Sequence, residues 1–308
     1  MKAIEVNNLT KSFGKTKAVD DISFSAEEGK ITAILGPNGS GKTTTIKSIC
    51  NIIIPDGGTI KINGKINRKS IDRVAALFEG TRNLYWRLTP IENLRYFAGI
   101  RGLGGKKIEL KIDELMERFN LTDKKNILVN NLSRGMQQKV AIAMTLVCDT
   151  DIIILDEPTL GLDVESCLDI KEVLKSISVD MKKTILLSTH DMHLVQDICD
   201  DVIIMAKGKI IAHDAMNNLL DMFRNMTYEF ILNKSVTDEC MKNLLEAGYE
   251  FYFSNNNTVL EIDISDSQII YNIIDLLRNN NLSIKEIKQS NINFERVYLN
   301  LTGGGVNK

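Results

Sequence analysis

The sequence lacks any apolar run long enough to cross a lipid bilayer. Its longest aliphatic blocks, such as IIIL at residues 152–155, are bounded by charged residues and fall far short of the roughly 18 residues that a membrane helix needs. Blocks of this kind are typical of buried strands. The N-terminal sequence MKAIEVNNLT also lacks the charged-then-apolar pattern of a secretory signal. We therefore expect a cytoplasmic protein, which a partner can still hold at a membrane.

Cysteine is scarce and the charges nearly balance. The 5 cysteines are scattered and include no Cys-x-x-Cys pair, which argues against a zinc site or a disulfide framework and fits a reducing compartment. Lys and Arg total 38 and Asp and Glu total 40, which gives a formal net charge of −2. This balance argues against bulk electrostatic binding to nucleic acid, but it does not exclude a local basic patch.

What the 308 residues do contain is an alternation of strand-like and helix-like segments up to about residue 215. At roughly 150 residues per domain, the length allows about two domains. Continuous apolar strands between helices predict a largely parallel α/β sheet covered on both faces. Residues 90–130 lack strand runs and are predicted to form a helical insertion, or else ordinary packing helices. The predicted strands are residues 30–35, 151–155, 183–188 and 202–205, and the predicted helices are 43–50, 169–177 and 192–199.

From about residue 226 the pattern changes to that of a small α+β module with the order β-α-β-β-α-β. The predicted organisation is a first domain over residues 1–217, an accessory domain over 226–302 and a flexible tail over 303–308. The apolar stripe of the first helix of the module consists of Cys240, Met241, Leu244 and Leu245. The predicted strands are residues 227–232, 250–253, 259–264 and 283–287, and the predicted helices are 237–247 and 268–278.

A glycine-rich loop between a predicted strand and a predicted helix matches the phosphate-loop pattern G-x-x-x-x-G-K-[ST] at residues 36–43. Its glycines let backbone N–H groups surround phosphate oxygens, and the helix that follows points its positive end at the same anion. Lys42 is expected to reach the β- and γ-phosphates, and Thr43 to place its hydroxyl on Mg²⁺. The predicted nucleotide contacts are Gly36, Pro37, Asn38, Gly39, Ser40, Gly41, Lys42, Thr43 and Thr44.

Two carboxylates follow the apolar strand IIIL. Asp156 and Glu157 stand at its end, and in a parallel sheet the carboxyl ends of the strands lie beside the phosphate loop. Asp156 is therefore predicted to hold Mg²⁺ or its water shell. Glu157 is predicted to polarise the water that attacks the γ-phosphate. The alternative is a solvated pair of acids that merely ends a strand.

Four further segments occur in the order of a known family. They are LSRGMQQ at residues 132–138, PTLGLD at 158–163, THD at 189–191 and the pair Phe13-Gly14. With the phosphate loop and the acidic strand end, this ordered set resembles the nucleotide-binding subunit of an ATP-binding-cassette (ABC) transporter over about residues 2–217. The resemblance implies an α/β phosphate-loop ABC domain with a helical subdomain, and an ATPase that uses ATP and Mg²⁺.

The resemblance also implies roles for residues outside the phosphate loop. In this family two domains pair head to tail, so Ser133 and Gly135 are expected to contact the γ-phosphate bound by the other copy, and Asp163 to support the facing site. Opening after hydrolysis is then a population shift driven by differential binding. His190 is expected to hydrogen-bond the γ-phosphate, and Phe13 to stack on adenine. The alternatives are a structural histidine and a core phenylalanine of the first hairpin.

Three residues depart from the family pattern. Glu79 stands where the family usually has a glutamine near Mg²⁺, so its carboxylate either binds the metal more tightly or repels the γ-phosphate. Arg134 replaces the first signature glycine, and Met136 replaces the signature glutamine. Because Ser133 and Gly135 are kept, hydrolysis is expected to survive.

Two segments predict what the ATPase drives. In the family, the stretch corresponding to residues 81–98 forms a groove for a short helix of the membrane subunit, and here its aromatic residues Tyr85 and Trp86 suit an amphipathic partner helix. The ending FERVYLNLTG at residues 294–303 resembles that of drug- and antibiotic-export ATPases, which pair with a separate permease of about six helices. Phe78-Glu79-Gly80 narrows the resemblance to the bacitracin-resistance and lantibiotic-immunity branch.

The resulting hypothesis is an ATPase homodimer that energises a drug, antibiotic or peptide exporter from the inner face of the cell membrane. One alternative is a soluble ABC ATPase acting on ribosomes or DNA, which the single cassette, the short stretch between Thr43 and Ser133 and the near-neutral charge disfavour. The other is a non-hydrolysing nucleotide sensor, should Glu79 and Arg134 abolish turnover. No nucleic-acid partner is expected.

Overall fold

The computed structural model describes residues 1–67, 71–80, 83–224, 227–249, 251–255, 258–263 and 267–289, together with Tyr298 and Leu301. The chain divides into two compact units, Met1–Met216 and Asn217–Lys308. The predicted domain limits of 1–217 and 226–302 stay predictions. Among the described helices, none has both the length and the apolar character that crossing a membrane requires.

Strands and helices alternate along most of the first unit. Its strands are β1 (Lys2–Phe13), β2 (Thr16–Glu27), β3 (Ile31–Leu35), β4 (Gly57–Ile62), β5 (Lys65–Ile66), β6 (Val74–Leu77), β7 (Ile152–Asp156), β8 (Thr184–Thr189), β9 (Asp201–Ala206) and β10 (Lys209–Ala215). Its helices are α1 (Lys42–Ile49), α2 (Pro90–Ile100), α3 (Lys106–Arg118), α4 (Arg134–Val147), α5 (Val164–Val179) and α6 (Met192–Ile198), after which α7 (Met216–Arg224) follows.

The central sheet has the strand order β10-β9-β3-β8-β7-β6. Its strands run parallel except β10, which pairs antiparallel with β9. Every side chain of β3, β7 and β8 is buried, as expected for apolar strands with both faces covered, and the predicted parallel α/β sheet is confirmed. The pairing places Leu35 beside Thr189 and Asp156 beside Ser188, so the ends of three neighbouring strands meet at one edge.

A second sheet in the first unit is antiparallel, with the order β2-β1-β4-β5, and the sequence pattern did not indicate it. The pairing of β1 with β2 has several register shifts, which break the strict alternation that marks a half-buried strand. Ile4, Leu9 and Ile22 of this sheet share one buried cluster with Ile34 of β3 and Ile46 of α1. The antiparallel sheet therefore packs against the two elements that flank the phosphate loop.

The helical segment begins with a capped helix. Thr89 accepts a hydrogen bond from the N–H of Glu92, the Glu92 side chain accepts one from the N–H of Thr89, and Pro90 opens α2, which together form a capping box. Both α2 and α3 pack against α4. The apolar positions predicted for the second helix are all buried: Ile112, Leu115, Met116 and Phe119.

The second unit has the predicted order of elements. They are β11 (Thr227–Leu232), α8 (Asp238–Glu246), β12 (Phe251–Ser254), β13 (Val259–Asp263), α9 (Ser267–Asn279) and β14 (Ile284–Gln289). The sheet is antiparallel, with the order β12-β13-β11-β14. One predicted detail is wrong: Leu245 is 66% exposed, because α8 buries only the narrow line of Cys240 and Leu244, one turn apart. Residues 250, 264 and 303–308 of these predictions lie outside the described part of the chain.

Candidate functional site

The phosphate loop connects β3 to α1 along a path that only glycine allows at two positions. A Cβ atom on Gly36 would lie 2.3 Å from the carbonyl oxygen of Met205. Gly41 has a φ of 104°, and a Cβ atom there would lie 2.4 Å from the carbonyl oxygen of Ala18. Neither distance is sterically possible, so glycine is required where the loop touches the backbones of β9 and β2. The shape of the loop is therefore set by its neighbours in the fold.

Lys42 is the first residue of α1, and its ammonium group is turned into the loop. Its Nζ donates to the carbonyl oxygens of Gly36 at 2.6 Å and of Pro37 at 3.3 Å, and it lies 3.7 Å from Oε1 of Glu157. Lys42 is buried, so its charge acts in a medium of low dielectric. An ammonium held by neutral carbonyls can exchange them for stronger anionic acceptors, and phosphate oxygens are such acceptors.

A cleft of about 520 Å³ opens over the loop. The predicted contacts that line it are Asn38, Gly39, Ser40, Gly41, Lys42, Thr43, Thr44, Glu79 and Glu157. Thr16, Lys17, Ala18 and Lys207 also line it, and no motif marks them. They come from the β1–β2 hairpin and the β9–β10 turn, which are outside the phosphate-loop motif in sequence and are brought to the cleft by the fold. Lys207 adds positive charge to that of Lys42, which favours a polyphosphate, whereas Lys17 forms an ion pair with Asp20.

Asp156 ends β7 beside α1. Its Oδ1 accepts hydrogen bonds from the hydroxyl of Thr43 at 3.2 Å and from the hydroxyl of Ser188 at a shorter distance. Its Oδ2 is buried and has no hydrogen-bond partner among the described residues. A buried carboxylate oxygen without a donor is stabilised by a cation, and Mg²⁺ binds carboxylate, hydroxyl and phosphate oxygens. Thr43 and Asp156 therefore fit this ion.

Ser188 is a site residue that the motifs did not indicate. It stands opposite Asp156 in the pairing of β7 with β8, and the rule that neighbouring parallel strands end together is the signal that could have found it. Cys50 is buried at the C-terminal end of α1, within the electrostatic influence of Asp156. Burial, with a smaller contribution from the Asp156 charge, raises the pKa of the Cys50 thiol to about 12. The thiol therefore stays protonated and is a poor metal ligand.

Glu157 and His190 form the second pair of the site. Glu157 has a φ of 51°, and its N–H donates to the carbonyl oxygen of Ser188 at 2.9 Å. Nδ1 of His190 lies 3.0 Å from both Oε1 and Oε2 of Glu157; since a carboxylate only accepts, Nδ1 carries the hydrogen. The Glu157 side chain is 7% exposed and that of His190 is 52% exposed. A sheltered carboxylate oriented by an imidazole is suited to take a proton from water.

Glu79 follows β6 and is exposed. It lines the phosphate cleft and also a neighbouring cavity of about 260 Å³, which Asp156, Glu157 and Arg134 line as well. Within the described part of the chain, no three His, Cys, Asp or Glu side chains converge closely enough to hold a metal ion by themselves. A cation at Asp156 would thus depend on oxygens from Thr43 and the nucleotide, and the role of Glu79 as a ligand stays a prediction.

Ser133 and Asp163 cap the helices that follow them. Ser133 accepts a hydrogen bond from the N–H of Met136 at 3.3 Å at the start of α4, and Asp163 accepts one from the N–H of Ser166 at 2.8 Å at the start of α5. A Cβ atom on Gly135 would lie 2.3 Å from Oγ of Ser166, so the two helix starts touch. Ser133, Gly135 and Asp163 do not contribute to the lining of the phosphate cleft of their own chain.

Phe13 ends β1 and pairs with Thr16 across the hairpin. Its ring is half exposed, so it is not the core phenylalanine that the alternative interpretation required. Thr16 lines the phosphate cleft, which places Phe13 close to one side of it. His193 and His213 are both exposed, and neither lines the cleft.

The aromatic segment after β6 is partly exposed. Tyr85 and Trp86 are 48% and 47% exposed, and the Tyr85 and Tyr96 rings meet edge to face with centroids 4.6 Å apart. The hydroxyl of Tyr85 donates to that of Tyr96 at 3.0 Å. Thr81 and Arg82, which begin the predicted docking segment, lie outside the described residues. The Tyr85, Tyr96 and Phe97 rings contact one another, so this segment and α2 together present a cluster of aromatic side chains.

Comparison with known proteins identifies the family. The model of the family described as "ABC transporter" matches residues 19–160. The ABC transporter ATP-binding protein NatA of Bacillus subtilis (strain 168) is 40% identical over 219 residues, which cover 70% of this chain and 89% of that protein. The bacitracin transport ATP-binding protein BcrA of Enterococcus faecalis is 30% identical over 308 residues, covering 98% of this chain and 97% of that protein.

A solved structure agrees with the sequence comparisons. The structure of cbiO1 from Clostridium perfringens, part of the ABC transporter complex cbiONQ, superposes with a TM-score of 0.67 at 27% sequence identity, over 71% of this chain and 91% of that one. ATP-binding subunits of this family bind and hydrolyse ATP, dimerise and act with membrane permeases. Since the similarity spans nearly the whole length of both relatives, the chain belongs to the ABC transporter family and is an ATP-hydrolysing, ATP-binding subunit of a transporter.

Proposed function

We propose that this ATPase subunit energises an exporter of drugs, antibiotics or peptides. The observation that carries the proposal is the extent of one alignment. The bacitracin transport protein aligns with 98% of this chain, and therefore with its C-terminal unit as well as its ATP-binding domain. The ending at residues 294–303 supports the same assignment, although all of it except Tyr298 and Leu301 lies outside the described residues. The permease would have about six helices and hold the ATPase at the cytoplasmic face of the cell membrane.

Nucleotide binding is assigned to the loop and the residues around it. The backbone N–H groups of residues 36–43 and the ammonium of Lys42 would bind the β- and γ-phosphates. Mg²⁺ would neutralise phosphate charge when bound; Thr43 and Asp156 are its proposed ligands, with Glu79 as a further candidate. Phe13 would stack on the adenine.

Hydrolysis is assigned to Glu157 and His190. The carboxylate of Glu157 would orient the attacking water and take its proton, because it is sheltered and lies at the edge of the phosphate cleft. His190 would fix the carboxylate through Nδ1, while the opposite edge of its ring remains available to a phosphate oxygen. Lys42, at 3.7 Å from Glu157, would leave that carboxylate for the phosphate and so free it to act as a base.

The complete site is proposed to need two copies of the chain. Ser133, Gly135 and Asp163 lie at the starts of α4 and α5, away from the lining of the phosphate cleft in their own chain. Backbone N–H groups at a helix start attract anions. A homodimer arranged head to tail would bring these groups of one copy to the γ-phosphate of the other, so that ATP holds the dimer together and hydrolysis releases it.

Docking to the permease is assigned to a groove of about 420 Å³ between β6, α2 and α4. Tyr85, Phe97 and Ile100 contribute apolar surface to it. Arg101 also lines the groove, but its guanidinium donates to the carbonyl oxygens of Asp72 and Val74 at 3.0 and 2.7 Å, so its charge is engaged. An apolar groove with an aromatic border fits a short amphipathic helix of the membrane subunit.

The decisive experiment is capture of the tagged Glu157→Gln chain, with ATP, from detergent-solubilised extract of its native cells. The variant should retain ATP and stay dimeric, and it should recover an integral membrane protein with about six helices. The matched control is the Lys42→Ala/Glu157→Gln double variant, whose ATP binding should be weaker by at least about tenfold. Recovery of ribosomes, nucleic acid or soluble protein alone would instead assign the ATPase to a soluble process and overturn the exporter.

A further inference from the structure

Phe13 carries a lysine over its ring. Nζ of Lys11 lies 5.5 Å from the centroid of the Phe13 ring, within the distance at which an ammonium is attracted to the π-electrons of an aromatic face. The two residues are two positions apart on β1, so their side chains leave the strand on the same side. The ammonium covers one face of the ring, and Phe13 as a whole remains 51% exposed and so accessible to a flat ligand.

Lys11 is itself fixed in place. Its side chain is only 17% exposed, and its Nζ donates to Oδ1 of Asp56 at 2.8 Å. The other carboxylate oxygen, Oδ2 of Asp56, accepts a hydrogen bond from the backbone N–H of Ser12 at 2.7 Å. The N–H of Asp56 in turn donates to the carbonyl oxygen of Thr10 at 2.9 Å. Asp56 is therefore hydrogen-bonded both to the Lys11 side chain and to the backbone of β1, the strand that carries the Phe13 ring.

The ion pair between Lys11 and Asp56 remains charged at neutral pH. The hydrogen bond from Lys11, and secondarily that from the N–H of Ser12, lower the pKa of the Asp56 carboxyl group, so it remains ionised at neutral pH. The ion pair lies outside the phosphate cleft, whose lining includes neither Lys11 nor Asp56. The lining does not include Phe13 either, and beyond Asp56 the lysine contacts the exposed ring of Phe13.

We propose that Lys11 and Asp56 are positioning residues that hold the Phe13 ring as a one-sided stacking surface for a purine base. The inference rests on the proposed role of Phe13 in adenine binding and extends it to base selectivity. A cation on one face draws electron density from the ring, and the opposite face then attracts an electron-rich purine more strongly than a pyrimidine. A fixed ring also loses less freedom when the base binds.

The test compares ligands with and without a base. Binding of ATP, CTP and inorganic tripolyphosphate is measured by calorimetry on the full chain and on the Lys11→Gln, Asp56→Asn and Phe13→Ala variants. Lys15→Gln is the matched control, because it removes the same charge from the same hairpin at an exposed position. Lys11→Arg keeps a cation over the ring and should restore the wild-type affinity.

We expect Lys11→Gln and Asp56→Asn each to weaken the binding of ATP by about two- to fivefold. Both variants should also reduce the ratio of the affinity for ATP to that for CTP, and leave the affinity for tripolyphosphate unchanged. Equal weakening of ATP and tripolyphosphate, or an equal effect of Lys15→Gln, would identify a general charge effect and overturn the inference. If Phe13→Ala weakens the binding of ATP while Lys11→Gln does not, only the positioning role of Lys11 and Asp56 is rejected. If Phe13→Ala itself has no effect, the adenine-stacking role fails as well.

Discussion

Nδ1 of His190 lies 3.0 Å from each of the two carboxylate oxygens of Glu157. Glu157 directly follows β7 and His190 directly follows β8, its neighbour in the central sheet. The symmetric contact fixes the plane of the carboxylate and uses at most one lone pair on each of its two oxygens. A base held in this way keeps acceptor capacity for a water molecule. The proposed roles of the two side chains therefore differ: Glu157 takes the proton, and His190 orients Glu157.

Replacing Glu157 by glutamine should abolish turnover and spare binding. The amide keeps the size of the side chain and one acceptor for Nδ1 of His190, but it cannot take a proton, so phosphate release should fall by at least about 100-fold. ATP affinity should not decrease. Glu165→Gln, an exposed position in the first turn of α5, is the control; comparable losses in both variants would contradict the role of Glu157 as a base.

His190→Ala should bind ATP normally and hydrolyse it about 100-fold more slowly, because the carboxylate loses the group that orients it. Single-turnover hydrolysis with excess enzyme measures the chemical step. His193→Ala changes an exposed histidine three residues further along and should have no effect. Wild-type turnover in His190→Ala would remove this residue from the mechanism.

Lys42→Ala should weaken ATP binding by at least about tenfold, since it removes a buried ammonium that can make charge-assisted hydrogen bonds to phosphate. Equilibrium dialysis with ATP checks the affinity. Lys47→Ala on the same helix, whose Nζ faces the Phe78 ring at 6.0 Å, should bind as the wild type does. Unchanged ATP affinity in Lys42→Ala would be incompatible with the phosphate-loop assignment.

Gly135→Ala should impair hydrolysis without impairing ATP binding to the single chain. The new methyl group would lie 2.3 Å from Oγ and 2.7 Å from Cβ of Ser166, so the start of α4 must shift, at a stability loss of about 1 to 3 kcal/mol. Ser166→Gly removes both atoms and should partly restore turnover in the double variant. Gly99→Ala, with open space around its Cβ position, should instead leave activity intact.

The Cys50 thiol should resist modification in the folded protein. Its pKa is raised from 9.0 to about 12, so the stability that its burial provides is complete below pH 9 and is lost as the pH rises towards 12. At pH 8.5 a thiol-specific reagent should label the half-buried Cys167 before Cys50, as peptide mass spectrometry can quantify. Labelling of both at equal rates in the folded protein would contradict the burial of Cys50.

The sequence predicted the positions of most residues of the candidate site in the fold, because the segments that carry them follow local rules. A run of buried aliphatic residues ending in Asp156 and Glu157 is a strand end, and a strand followed by glycines and Lys42 is a phosphate loop. Both patterns lie within a few residues, so their geometry can be read without the rest of the chain.

What the sequence did not indicate depends on contacts between distant segments. Lys11 and Asp56 are 45 positions apart and meet only because β1 pairs with β4. Ser166 touches Gly135 through the packing of α4 and α5, and neither residue type suggests it. The antiparallel sheet was missed because register shifts in β1 and β2 disrupt the alternation on which strand prediction relies.

The contact between Gly135 and Ser166 packs the start of α4 tightly against the start of α5. Ser133 and Asp163, which cap these two helices, must then move together. In a pair of chains, a single displacement would present or withdraw both groups at once from the partner's nucleotide. In the proposed homodimer, ATP at one site would then engage both groups of the facing chain at once. We therefore expect ATP hydrolysis to rise with ATP concentration along a sigmoidal curve whose Hill coefficient exceeds one.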